Sequence, residues 1–207
     1  MRNTPRTISS HIGLLLIILL TFIGCSSRTR LLVDYHVPSI SNQLTGQRVH
    51  LEVRDMREDR HLFTANAAKD FQGFRNSYEL TLVAADQRRT SIGERDLEGL
   101  FLEVFSKRLQ HLGADIISGK QDTTPHLQIL IKAFKIDLNE RKWIASASYE
   151  ANLSIDDQLV ARERVTGSAE RLKIMGTKGA GTTLSDIFTE IINRLNIVKL
   201  FEQAKMV

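Results

Sequence analysis

WIASASYEANLSI, residues 143–155, alternates between two kinds of side chain along its whole length. Apolar side chains occupy Trp143, Ala145, Ala147, Tyr149, Ala151, Leu153 and Ile155, and mostly polar ones occupy Ile144, Ser146, Ser148, Glu150, Asn152 and Ser154. Successive side chains of a strand point to opposite faces of its sheet. The stretch therefore predicts a strand with one core face and one polar face, which is typical of an antiparallel sheet covered on one side.

Asp156-Asp157-Gln158 is a predicted turn, because aspartate side chains bond nearby amides, and residues 159–173 form the next predicted strand. A slip by one residue would turn this second strand inside out, so the apolar sets of both strands must share a face. A three-residue loop that satisfies this condition places Leu153 opposite Ala161, Tyr149 opposite Val165, Glu150 opposite Arg164, Ser148 opposite Thr166 and Asn152 opposite Arg162. We predict that the polar face contacts a partner if no helix covers it, with Glu150 and Arg164 as candidate contacts.

Three further segments have strand patterns. Residues 48–55 alternate, with Val49 and Leu51 among the residues on one side, and residues 77–84 form a weaker pattern. Residues 126–138 form a longer pattern, and its change of phase near Ala133-Phe134 predicts a bulge.

Two helices are predicted from apolar residues spaced three and four apart. The first helix carries Leu97, Leu100, Phe101, Val104, Phe105, Leu109 and Leu112, follows a capping box at residues 91–94 and ends at Gly113. The second carries Leu184, Ile187, Phe188, Ile191, Leu195 and Val198, and follows a second capping box at residues 183–186. Its end is apolar over more than one face, so the excess either packs against the sheet or contacts another protein copy or a partner.

The predicted order of elements is strand, strand, helix, three-strand meander, helix. Apolar stripes on two helices are buried most simply against the apolar face of one sheet. The sequence therefore predicts an α+β fold, with a mostly antiparallel sheet of about five strands and two amphipathic helices packed on one face.

The amino terminus has the order of a secretory signal peptide. Arg2 and Arg6 precede an uncharged run at residues 12–23, which is too short to span a membrane comfortably. Phe22-Ile23-Gly24-Cys25 resembles the lipobox of bacterial lipoproteins, with phenylalanine in place of the commoner leucine. The resemblance implies cleavage before Cys25 and lipid on its sulfur. Because Ser26 and not aspartate follows, it also implies sorting to the periplasmic face of the outer membrane. The alternative is an inert cysteine in a membrane segment.

These features divide the chain into a signal peptide at residues 1–24, a lipidated cysteine and tether at residues 25–47, and a single periplasmic domain at residues 48–207. An alternative for part of the tether is that Leu31-Leu32-Val33 and Tyr35 dock on the domain. Cys25 is the only cysteine, so a disulfide within the mature domain is excluded. Removal of Arg2 and Arg6 lowers the formal net charge from +4 to +2, which gives no indication of nucleic-acid binding.

Residue patterns that carry chemistry are incomplete in this sequence. Residues 176–183 are glycine-rich, but Thr182 stands where a phosphate-binding loop requires lysine. The histidines lack the spacing of metal ligands, and no nucleophile elbow is present. We therefore expect no cofactor, no metal and no enzymatic activity, with a periplasmic hydrolase as the less favoured alternative.

Asp55, Arg57 and Asp59 follow a predicted strand directly. Side chains at such a position either pair locally or bind a partner, and local pairing is the favoured interpretation. All three are kept as candidate partner contacts.

Several segments resemble the YajG family of outer-membrane lipoproteins. They are the lipobox, the strand leading into DMRED at residues 55–59, the helix at 97–112 with Gly113, HLQILI at residues 126–131 and the carboxy-terminal amphipathic helix. The resemblance covers most of the mature chain but not residues 60–75. It implies no catalytic residues, and the family is similar to small periplasmic lipoproteins that serve envelope-assembly or transport machines.

We therefore predict a lipid-anchored, non-enzymatic periplasmic module that acts through protein contacts at the outer membrane. The expected partners are the membrane, through lipid on Cys25, and an envelope protein, with self-association as a further option and no nucleic acid. The alternative function is that of an accessory lipoprotein in a lipid or lipopolysaccharide transport system.

Overall fold

The computed structural model describes residues 30–119, 123–173 and 177–206, so the predicted sites Cys25 and Ser26 lie outside the described residues. The strands are β1 Leu31–His36, β2 Arg48–Asp55, β3 Tyr78–Val83, β4 Arg89–Arg95, β5 Asp115–Ile116, β6 His126–Asn139, β7 Lys142–Ile155 and β8 Gln158–Leu172. The helices are α1 Ala65–Ala68, α2 Leu97–His111, α3 Lys178–Arg194 and α4 Ile197–Gln203. Within these ranges, no helix has both the length and the apolar character needed to cross a membrane.

The larger sheet has five strands in the order β5-β2-β6-β7-β8. The predicted α+β class and the meander β6-β7-β8 are confirmed, and both meander pairs are antiparallel. The expectation of a mostly antiparallel sheet is wrong, because β2 runs parallel to both β5 and β6. The chain between β2 and β6 crosses over through α2, and such a crossover returns the chain in the same direction.

The predicted register between β7 and β8 is confirmed. Leu153 lies opposite Ala161, Tyr149 opposite Val165 and Glu150 opposite Arg164. The turn differs from the prediction, because Ile155 pairs with Gln158 and the loop is only Asp156-Asp157, both with positive φ. A register shift at Leu153/Ser154 supplies the remaining offset. The register thus follows from the buried faces and not from the loop length.

The bulge that the sequence indicated in β6 lies one or two residues before the expected position. The register between β6 and β7 shifts between Ile131 and Ala133, so Lys132 is the extra residue. After the shift, Phe134 and Ile136 are buried again. The bulge therefore keeps both halves of a long strand facing the same core.

A second sheet has the order β1-β3-β4 and includes a segment expected to be part of the tether. Leu31–His36 forms β1, which runs parallel to β3. Leu31, Val33 and Tyr35 are buried, so the alternative that this patch docks on the domain describes these residues correctly. The physical reason is their alternation, which gives β1 one fully apolar face.

Both predicted capping boxes are wrong, although both helices form. Residues 91–94 lie within strand β4, and α2 is capped instead by Asp96, whose Oδ1 accepts from the backbone N–H of Gly99 at 2.8 Å. Helix α3 starts at Lys178, five residues before the expected cap. The hydroxyl of Thr183 donates to the carbonyl of Gly179 inside this helix. Much of the glycine-rich segment is therefore helical and does not form a loop.

The end of α2 was predicted correctly at Gly113. Its φ is +87°, a conformation that favours glycine, and a Cβ atom there would lie 2.7 Å from Thr45 Oγ1. The close approach joins the end of α2 to the segment that leads from β1 to β2.

The predicted closing helix is divided into α3 and α4. Asn196 caps α4, with its Oδ1 accepting from the backbone N–H of Lys199 at 3.0 Å. The change of direction buries the excess apolar residues within the domain: Ile191, Ile192, Ile197, Leu200 and Phe201 are all 1% exposed or less. The intramolecular interpretation of this apolar end is therefore correct.

Helices α2 and α3 pack on the same face of the five-stranded sheet, as predicted. The ring of Phe105 on α2 contacts that of Tyr149 on β7, with 5.5 Å between centroids. The hydroxyl of Tyr149 donates to the carbonyl of Ile191 on α3 at 2.8 Å. One continuous apolar core lies between the helices and the two sheets.

A buried guanidinium group lies at the carboxyl end of α3. Arg108 on α2 donates to the carbonyl of Ile192, and its Nη2 donates to the carbonyl of Leu195 at 2.8 Å. Burial lowers the pKa of Arg108. The positive charge is nevertheless placed at the negative end of the helix dipole, next to carbonyls that have no partner within their helix.

We expect Arg108→Met to destabilise the protein by about 2–4 kcal/mol, because two buried carbonyls would lose their donors. The matched control is Lys107→Met, which changes the neighbouring cation on the same helix and should cost less than about 0.5 kcal/mol. The measurement is the free energy of unfolding from urea titration followed by circular dichroism. Equal losses for the two variants would contradict the assigned role of Arg108.

Candidate functional site

The face of the five-stranded sheet opposite α2 and α3 is called here the outer face. It is formed by alternate residues of β2, β6, β7 and β8 and includes His50, Glu52, Arg54, His126, Gln128, Lys135, Ser146, Ser148, Glu150, Asn152, Arg162, Arg164, Thr166 and Ser168. Ser146 and Ser148 are half-buried, whereas Thr166 and Ser168 are exposed. The face is polar and rich in hydroxyl groups, as the sequence predicted.

Glu150 is at the centre of the outer face and is 7% exposed. Its carboxylate lies 3.3 Å from Arg164 Nη2 and 3.4 Å from Arg162 Nε. Asn152 joins the group, with its Nδ2 donating to Glu150 Oε1 at 3.2 Å and its Oδ1 accepting from Arg162 Nε at 3.0 Å. Asn152 is therefore buried under its neighbours' side chains.

Burial by itself raises the pKa of Glu150. Hydrogen bonds from Asn152 and Arg164 and the charges of Arg162 and Arg164 lower it by more, so the net pKa lies below the ordinary value. The carboxylate is therefore held ionised at neutral pH. A general acid needs the opposite shift, which would place its pKa near the operating pH.

A second acidic cluster, centred on Glu52, lies beside the first across β6. Glu52 accepts from Arg54 Nε at 2.6 Å and from Gln128 Nε2 at 2.9 Å. His126 Nε2 is 3.0 Å from the same carboxylate, and the His126 ring contacts that of His50, with 5.0 Å between centroids. Burial raises the pKa of Glu52, but the bonds from Gln128 and Arg54 more than offset this effect and give a net lowering.

Sequence reasoning missed the Glu52 cluster. Glu52 meets Gln128, and His50 meets His126, only because β2 and β6 pair in parallel at that register. The residues are more than seventy positions apart, and the sequence contains no local signal for such a pairing. Although histidine and glutamate meet here, no group of three or more His, Cys, Asp or Glu side chains in the described ranges is arranged to hold a metal ion.

The five residues predicted as partner contacts lie in three separate places: Asp55 with Arg57, Asp59 with Lys135, and Glu150 with Arg164. Asp55 and Arg57 pair with each other, in two parallel bonds of 2.8 Å, and Arg57 Nη1 also donates to the carbonyl of Phe134 at 3.1 Å. Arg57 is 6% exposed, so this pair has a local structural role. Asp59 instead accepts from Lys135 Nζ at 2.6 Å on the outer face.

The pKa values of Asp55 and Asp59 are both below the ordinary range. For Asp55, burial raises the pKa, but the hydrogen bonds and charge of Arg57 lower it by more. For Asp59, the bond from Lys135 is the largest cause, followed by bonds from His61. Both groups therefore act as ionised acceptors at neutral pH.

A cavity of about 550 Å³ lies between β1 and the first turns of α3. Its wall combines apolar side chains, among them Leu31, Leu32 and Phe71, with charged ones. The charged residues Arg30, Asp34 and Asp186 are already paired with Glu94, Arg89 and Arg171, respectively. The cavity thus offers an apolar wall but few charges that are open to a ligand.

Comparison with known proteins gives distant structural similarities, of which two are described. No family model and no curated protein matches the sequence. Protein XCC0632 from Xanthomonas campestris, of the DUF330 family, is 14% identical with a TM-score of 0.48, and the alignment covers 85% of this chain and 99% of that one. Lipoprotein GNA1162 from Neisseria meningitidis is 9% identical with a TM-score of 0.35, covering 71% and 99%. Similarities this low carry no argument about family or function, so the resemblance to YajG-type lipoproteins stays a prediction.

We expect Glu150→Gln to destabilise the protein by about 1 kcal/mol at pH 7 and by less at about pH 3. The folded-state pKa lies below the ordinary 4.5, so the stabilisation is complete above that value and is lost as pH falls through the folded pKa. Urea unfolding midpoints of both proteins at the two pH values provide the measurement.

The control for this experiment is Glu202→Gln, at an exposed position on α4, which should leave stability nearly unchanged at both pH values. A stability gap for Glu150→Gln that stays constant between the two pH values would show that Glu150 is not stabilised in its ionised form.

Proposed function

We propose that this chain is a lipid-anchored periplasmic protein of the outer membrane that acts without catalysis, through protein contacts made by the outer face. The observation that carries the proposal is the pair of adjacent acidic clusters on that face. Glu52 and Glu150 are each held ionised by hydrogen-bond donors and cations. Such groups suit recognition of a polar partner better than proton transfer near neutral pH.

The layout of the outer face also suits a protein contact. Glu150 and Asn152 are buried at its centre, while the flanking Arg162 and Arg164 side chains are 55% and 69% exposed. Both arginines can bond a partner's carboxylate or carbonyl groups while the acid beneath them keeps them oriented. Hydroxyl groups at Ser146, Ser148 and neighbouring positions supply donors and acceptors.

The proposed lipid anchor is based on the resemblance of residues 22–25 to a lipobox. The position of β1 limits how far the domain can lie from that anchor. Only residues 26–30 separate Cys25 from the start of β1. Five residues reach about 17 Å when fully extended. Lipid on Cys25 would therefore hold the amino end of β1 within about 17 Å of the membrane surface. The linker between the lipid and the domain would be short.

We expect Cys25→Ala to accumulate as an unprocessed precursor that incorporates no labelled palmitate. The matched variant Ser26→Asp should still be processed and labelled, because the lipid-bearing cysteine remains, but it should move from outer-membrane to inner-membrane fractions of a sucrose gradient. Lipid labelling of Cys25→Ala would contradict the anchor, and wild-type protein in inner-membrane fractions would contradict the sorting.

We expect Ser148→Arg to abolish the capture of envelope proteins that the wild type retains after cross-linking and affinity purification. The longer side chain would project from the centre of the outer face without entering the core. Thr90→Arg places the same side chain at an exposed position on β4, in the other sheet, and should leave the captured proteins unchanged.

Identical captured proteins with both variants would contradict the use of the outer face. A broad hydrolase screen of the same preparations tests the other half of the proposal. Turnover that survives purification and is lost with one point substitution would overturn the non-enzymatic assignment.

A further inference from the structure

The two edges of the five-stranded sheet differ greatly in length. One edge ends in β5, which has two residues, and the other is β8, which has fifteen. Every even-numbered residue of β8 from Arg162 to Glu170 is exposed. Along one edge, the backbone of β8 pairs with β7 without interruption from Ala161 to Leu172.

The backbone groups on the open side of β8 can be assigned from one hydrogen bond. Arg194 on α3 donates to the carbonyl of Thr166, which therefore points away from β7. Because every second residue of a strand directs its N–H and C=O to the same side, those of Arg164, Ser168 and Glu170 also point outward. A row of such groups is a template for another strand.

We propose that two copies of this chain associate by antiparallel pairing of their β8 strands, centred on Gly167. In this arrangement Arg164 of each copy lies opposite Glu170 of the other, and Glu163 lies opposite Arg171. Thr166 lies opposite Ser168. The pairing thus brings four pairs of opposite charge together and no pair of like charge.

The order of charged residues along β8 favours the register centred on Gly167 over registers centred on nearby residues. Outward-pointing residues must pair with outward-pointing residues, so the alternatives are centred on other single residues of β8. A centre at Val165 gives no opposite charges, and a centre at Thr166 gives only Arg162 opposite Glu170. A centre at Arg164 places the two arginines opposite each other. Like charges directly opposite are destabilising, and opposite charges favour one register.

The charge pattern of β8 also differs from the pattern expected if these charges only prevented the edge from pairing with another strand. A protected edge needs repulsion between copies, which a run of like charges provides. Here the sign of the charge reverses across Gly167, from Arg164 to Glu170 and from Glu163 to Arg171. The edge is therefore complementary to itself.

Existing side-chain contacts allow the association. Glu170 pairs with Lys142 and Arg171 with Asp186, and both pairs are largely exposed. Exposed ion pairs are weak, so these side chains can extend to a second copy. Arg194 must leave the carbonyl of Thr166, and it retains its contact with Glu190 on the same helix.

The test is sedimentation equilibrium of the full chain in density-matched detergent. We expect a dimer for the wild type, with a dissociation constant raised at least about tenfold by Glu170→Arg or by Arg164→Glu. Because Arg164 also contacts the buried Glu150, circular dichroism must show that Arg164→Glu remains folded. The double variant Arg164→Glu/Glu170→Arg should restore dimerisation, because the opposite charges are exchanged. Arg88→Glu, at an exposed turn of the other sheet, is the control and should leave the dimer intact.

A second measurement tests whether the twofold axis of the dimer lies at Gly167, and it does not depend on charge. In a Cys25→Ser background, chains with Thr166→Cys and chains with Ser168→Cys should form a mixed disulfide under mild oxidation, since directly opposed Cα atoms lie within disulfide range. Thr166→Cys alone should cross-link poorly. A monomeric wild type, a dimer unaffected by the single reversals, or no mixed disulfide would each overturn the proposal.

Discussion

The buried charge of Arg108 at the carboxyl end of α3 is the constraint on which the arrangement of the domain depends. A guanidinium group removed from water needs acceptors, and the last carbonyls of a helix need donors. Two side chains supply donors to these carbonyls: Arg108 from α2 and Tyr149 from β7. Tyr35 from β1 contacts the same helix end, because its hydroxyl donates to the side-chain Oδ1 of Asn193 at 2.7 Å. One helix end thereby fixes both sheets and the other long helix relative to one another.

The same helix closes one sheet edge and leaves another open. Ser185, Thr189 and Asn193 lie along one face of α3 and bond the backbone of β1 at Asp34 and His36. The edge of β1 is therefore satisfied by side chains, whereas on β8 the side chain of Arg194 on α3 bonds the outward backbone carbonyl of Thr166. Because both helices lie on the inner face of the larger sheet, the outer face keeps its own polar network. The surfaces assigned to a partner and to a second copy are thus consequences of where α3 packs.

Local pattern was sufficient for those parts of the fold in which neighbours in sequence are neighbours in space. The register of β7 with β8 and the pairing of Glu150 with Arg164 were predicted because a short turn joins the strands and the buried faces permit one alignment. Helix α2 and its end at Gly113 were predicted from spacing and from the need for positive φ. The caps were mispredicted because Ser91 and Thr183 have the required spacing but lie inside a strand and a helix.

By itself, the sequence determined the α+β class, the meander, the long helices and the polar character of the outer face, since alternation and helical spacing are local properties. Only the tertiary structure decided that β2 lies parallel to β6, which creates the Glu52 cluster, and that β1 joins the domain beside β3. It also decided which charges are buried, because Arg57 and Arg108 look like ordinary surface cations until their acceptors are in place. Pairings between distant segments depend on the total buried surface of the whole chain, and no short stretch of sequence contains that information.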